Sequence, residues 1–134
     1  MSDLTRSMVG TDALLAAVLG PKPELLIGLT DVHLAARAAV DADVLDVCES
    51  RIAALLGLDA IEERGQRTAA QHACLAFTDQ FVIDVSAMTD GLVAAVAAEL
   101  GADGLVNFVN ALLVVEQRLR AQLMFGRLIP ELVS

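Results

Sequence analysis

No tryptophan or tyrosine occurs in the 134 residues, and phenylalanine occurs only four times. The platforms on which nucleic-acid bases stack are therefore nearly missing. Positive charge is scarce too: nine Lys and Arg stand against 18 Asp and Glu, for a net charge of −9. A surface of that sign repels phosphate backbones, which argues against nucleic acid as a partner. The only histidines are His33 and His72, and neither belongs to a His-Glu-x-x-His or Glu-x-x-His pair. No metal site is expected. Cys48 and Cys74 lie 74 − 48 = 26 positions apart, neither a metal nor a redox spacing. The glycines are scattered, with no phosphate-cradling loop and no Gly-x-Ser-x-Gly elbow, so no cofactor is expected. Period-two alternation and internal repeats are absent as well, which leaves no signal for strands or solenoids.

Apolar residues are what the chain has in plenty: 56% of the residues are hydrophobic and the mean hydropathy is +0.63. A chain of this length reads as a single domain, 1–134, with 1–22 as an N-terminal extension. No apolar run of about 18 residues escapes polar interruption. Asp31, His33 and Arg37 break one candidate, and Asn107 and Asn110 break the other. The polar start MSDLTRSMVG lacks the apolar core of a signal peptide. The expectation is a cytoplasmic protein with no membrane partner. So much apolar surface must be buried within the fold or between subunits, and a homo-oligomer is expected.

Helical spacing and end signals lay out an all-α domain of about six helices. A short helix spans 12–20, and a second runs from Pro23 to Val40. Asp41 or Asp43 caps a third, which Gly57 closes. A turn follows over 59–64. A fourth helix occupies 67–84 with Ala70, Ala73 or Cys74, Phe77 and Phe81 as its core stripe. A fifth ends at Gly101, and a sixth, capped by Asp103, reaches about Phe125. Its stripe is Val109, Leu112, Glu116, Leu119 and Leu123. Asp43, Asp46 and Ser50 are expected on the solvent face of the third helix.

Chemistry concentrates on DADVLDVCESRIAALLGL, residues 41–58. The stripe Ala42, Leu45, Glu49, Ile52, Leu56 is apolar except for Glu49. A carboxylate there is paired, protonated or at a rim. Desolvation raises its pKa and suits it to acid or base work; pairing with an arginine is the structural alternative. Glu116 carries the same signal, with Arg120 four positions on as a ready partner. His33 is the better histidine candidate, because Thr30 and Arg37 share its stripe. His72 and Asp79 are two turns apart, about 10 Å by helix rise and too far to touch. Cys48 and Cys74 read as small core residues.

The order of these elements resembles the carboxymuconolactone decarboxylase and alkylhydroperoxidase D-like family. Residues 24–58 and 62–126 carry the resemblance, the latter through ERGQRTAAQHACLAFTDQF, MTDGLVAAVAAEL and the long final helix. Ala53 and Gly57 fit the small-residue and glycine ending of the family's helix. The resemblance implies an alkylhydroperoxidase D-like helical fold and a dimer, trimer or hexamer. It does not extend to the peroxidase motif, Cys-x-x-Cys-x-x-x-His with a Glu upstream. Anchored on Gly57, Ala42 and Leu45 stand at the cysteines, Glu49 at the His and Thr30 at the Glu. Peroxide reduction by that route needs a low-pKa thiolate and a resolving thiol, so alkylhydroperoxidase activity is not expected. Three readings remain. One is an oligomeric binding or structural protein with an apolar pocket beside helix 41–57, taking a small apolar or polar-headed ligand through Thr30, Arg37 and Leu45. The second is lactone or keto-acid proton transfer by Glu49 and His33. The third is one-cysteine redox chemistry at Cys48.

Overall fold

The computed structural model describes residues 22–58 and 65–128, together with Ala16. Among them are four α-helices and no strand: α1 (Pro23–Ala39), α2 (Ala42–Leu55), α3 (Ala69–Asp84) and α4 (Asp90–Leu128). A 3-10 turn, Val85–Ala87, joins the last two. The all-α expectation holds, and the described residues contain four of these helical elements. The fifth and sixth expected helices run on within α4 as two helical stretches that meet at a kink, where Gly101, the expected end of the fifth, leaves helical geometry at φ 78°, ψ 172°. Asp103 lies within α4 rather than capping a separate helix. The expected helix at 12–20 falls mostly outside the described residues, as does the turn at 59–64; Ala16 itself is helical.

Local chemistry accounts for the boundaries. Asp41 caps α2 by accepting from the Asp43 N–H. At the other end, Gly57 adopts φ 79°. Its N–H bonds the Ala54 carbonyl and the Leu58 N–H bonds the Ala53 carbonyl. This paired pattern closes a helix through a left-handed glycine. Thr68 opens α3 with a capping box: its hydroxyl accepts from the Gln71 N–H, and the Gln71 side chain accepts from the Thr68 N–H. The Thr-x-x-Gln pattern is the sequence signature of this box. Thr89 accepts from the Leu92 N–H at the start of α4.

Leu45, Cys48 and Ile52 of α2, Cys74 and Phe77 of α3, and Phe108, Leu112 and Val115 of α4 fill the centre. Phe77 stacks on Phe81 and meets Phe108 edge-on, with centroids 6.2 and 5.7 Å apart. Each such large side chain contributes roughly 1.5–3 kcal/mol by leaving water. Helix α1 packs mainly on α4 and only lightly on α2. By length and composition alone, Asp90–Arg127 is apolar enough to cross a membrane, and its most apolar stretch is 11% buried. The core helix of a soluble protein passes the same test of length and composition. Helix α4 supplies Phe108, Ala111, Leu112, Val115 and Leu119 to the core.

Gly101 makes the bend in α4 possible. Its φ and ψ lie in a region essentially reserved for glycine, where another residue costs about 1–3 kcal/mol. Gly101→Ala is expected to lower unfolding stability by that amount in urea titrations, while Gly28→Ala, at a helical position with no atom within 4 Å of the added carbon, changes it little.

Candidate functional site

The polar stripe of α1 faces inward. His33 is 5% exposed, Arg37 is half-buried, and Thr30 lies one turn before His33 at intermediate depth. Helix α2 presents Glu49 to this stripe, 3% exposed. Arg37 bridges two carboxylates of α2: its Nη1 donates to Glu49 Oε2 at 2.5 Å, and its Nη2 donates to Asp46 Oδ1. Asp46 and Glu49 are three positions apart, so one guanidinium fork spans them. The expected solvent face of α2 therefore needs correcting. Asp43 is exposed, but Asp46 is drawn into the bridge and Ser50 is 8% exposed.

Two opposing effects act on Glu49. Burial pushes its carboxyl up, and the neighbouring Asp46 charge adds to that; the Arg37 charge and hydrogen bond pull it down. The net shift is upward, so desolvation outweighs the guanidinium. For His33, burial is the larger cause and Arg37 the smaller, and both push its pKa down. Neither ring nitrogen of His33 has a hydrogen-bond partner. A neutral imidazole with free nitrogens at the base of a carboxylate–guanidinium bridge can accept a proton or bind a donor.

Leu45, one turn before Glu49, is fully buried in the core. Cys48 is also 0% exposed. Burial pushes its thiol up to about 12, only partly offset by a hydrogen bond with Thr78. Such a thiol holds a thiolate fraction on the order of 10⁻⁵ at pH 7. Cys74, likewise buried, is pushed up to about 11, again chiefly by desolvation. Arg51 donates to both oxygens of Asp79, at 3.0 and 2.8 Å, and ties α2 to α3. His72 is exposed at the start of α3. Glu116 pairs with Arg120 at 3.0 Å, the i,i+4 partner its spacing offered. Among the described residues no group of three His, Cys, Asp or Glu could hold a metal.

The two buried groups titrate with opposite effects on stability. His33 is depressed from 6.5, so its contribution is complete above pH 6.5 and lost as pH falls below that value. Glu49 is raised from 4.5, so acidification through its folded-state pKa favours the fold. In urea titrations between pH 7.5 and 5.5, His33→Gln is expected to lose less stability on acidification than the wild type, because the destabilising part of the slope is removed.

No protein-family model, curated protein or solved structure matches this chain.

Proposed function

We propose that the chain is a divergent member of the carboxymuconolactone decarboxylase and alkylhydroperoxidase D-like family that has left thiol peroxide reduction behind. It serves, as a cytoplasmic homo-oligomer, in a binding or structural role. The observation that carries this reading is the Arg37 bridge. Glu49, which stands where the resemblance places the family's histidine, is closed in at 3% exposure with its Oε2 held by Arg37. A group so engaged organises helices rather than meeting substrate. The buried state of Cys48 supports the same reading, because a thiol held near 12 cannot attack a peroxide at useful rates. One-cysteine redox chemistry is disfavoured for the same reason.

A second reading has its own support in the unpartnered nitrogens of His33. Held neutral by burial, His33 would act as a general base, with Glu49 as the proton donor that its raised pKa allows. Thr30 and Arg37 would then orient a small carboxylate-bearing lactone or keto acid.

One assay separates these readings. Purified protein is given cumene hydroperoxide with dithiothreitol, and separately an unsaturated γ-lactone carboxylate. Neither is expected to be consumed above background, and a small maleimide is expected to label Cys48 only after unfolding. Lactone turnover that vanishes in His33→Gln would establish the second reading. Peroxide reduction that vanishes in Cys48→Ser would overturn both.

A further inference from the structure

Helix α1 is the element most lightly held in the bundle. It packs mainly on α4, yet among its described residues only Ala36 joins the hydrophobic core, and Val40, its C-cap, packs at the margin. Leu25, Ile27, Leu29, Val32 and Leu34 are 45–61% exposed and add little to the packing. The other three helices interlock through Leu45, Ile52, Phe77, Phe108 and Leu112, each 4% exposed or less. Elements with few buried apolar contacts open before the rest of a fold. What secures α1 to α2 is the Arg37 bridge to Glu49 and Asp46.

His33 lies one turn before Arg37 on the same inward stripe. Both of its ring nitrogens are sealed from solvent and lack a hydrogen-bond partner. A neutral imidazole bears that at the cost of one unmade donor bond and one unmade acceptor bond. An imidazolium has two N–H donors to satisfy and a full charge. A buried charge without a partner costs far more than a buried neutral group. The like charge of Arg37, four residues on, adds to that cost. The charged ring is therefore accommodated only where its nitrogens reach water, and that requires α1 to move.

We propose that His33 is an acid-operated latch: protonation of its ring releases α1 from the bundle, while α2, α3 and α4 stay packed. As α1 opens, water reaches the ring and the ring takes its proton. The closed position is then disfavoured until the proton leaves. The latch depends on neither functional reading above, because it needs only the closed and open positions of α1.

The charges around the ring set the direction of the effect. On α1 itself the inward charge is Arg37. From α2 come Glu49 and Asp46, both engaged by Arg37. On α4 the charged side chains that are not exposed are Glu116, paired with Arg120, and Arg118. Burial, and after it Arg37, lowers the pKa of His33. The closed form thus binds fewer protons than the open form, and acid favours opening. Glu49 works the other way, because its carboxyl is raised and acid favours its closed state. Removing His33 while keeping Glu49 separates the two.

The test is amide hydrogen exchange of the full chain at pH 7.5 and 5.5, corrected for the intrinsic pH dependence of exchange. Wild type and His33→Gln are compared, with circular dichroism confirming helicity. With an open-state ring titrating at the ordinary 6.5, protonation raises the open population by at most about tenfold over this range. The expected result is acid-induced opening of α1 that is roughly three- to tenfold larger in wild type than in His33→Gln, with the protection of α3 amides unchanged. If the acid effect is the same in both proteins, or if α1 and α3 lose protection together, the latch is overturned. A second measurement needs no variant: NMR titration of the His33 ring proton in wild type. Its midpoint is expected below 6.5, and a midpoint at or above that value overturns the latch.

Discussion

A single guanidinium orients the first helix. Arg37 reaches Glu49 and Asp46 together, and those contacts require the polar stripe of α1 to face inward. Helix α1 touches α2 only lightly in other respects, so the bridge stands in for packing between them. The remaining apolar residues of α1 have then only the outside left. One pairing thus links the burial of Glu49, the seclusion of His33 and the exposure of Leu25 to Leu34.

Elsewhere the fold relies on ordinary means. Helices α2 and α3 share a packed seam of Cys48, Ile52, Cys74 and Phe77. Arg51–Asp79 and the Gln71 amide, which donates to the Asp43 carbonyl, fasten that seam at its margins. Thr78, fully buried, satisfies its hydroxyl by donating to the Cys74 carbonyl at 2.7 Å. In this setting both cysteines are packing residues whose thiols are held protonated by their surroundings. In the α1–α2 cluster, burial pushes the Glu49 carboxyl up and the His33 imidazole down, so both are biased toward their uncharged forms.

Much of this was legible in the chain. Asp41 and Gly57 marked α2 through cap chemistry that acts over a few residues, and Gly101 marked the break in α4 for the same reason. The anomaly at Glu49 was visible because one carboxylate interrupted an apolar row. Other features depended on neighbours that a helical wheel does not contain. Asp46 and Ser50 carry a surface signature, and only the arrival of Arg37 from another helix changes the meaning of Asp46. Thr78 and Leu75 are buried because α3 is covered on two sides, by α2 and α4, whereas a single stripe assumes one. Most of all, the wheel of α1 shows a polar stripe and apolar rows without saying which side faces the bundle. The usual assumption, polar outward, fails here because one buried ion pair decides the orientation.

A double-mutant cycle on Arg37 and Glu49 tests that decision most directly. Arg37→Met, Glu49→Leu and the double variant are compared by urea unfolding at pH 7. If the bridge orients α1, Arg37→Met alone costs about 3–5 kcal/mol, because it strands a buried carboxylate, and the double variant recovers most of that loss. If the two single effects simply add to within about 0.5 kcal/mol, the residues are not coupled. The orientation of α1 must then come from packing alone.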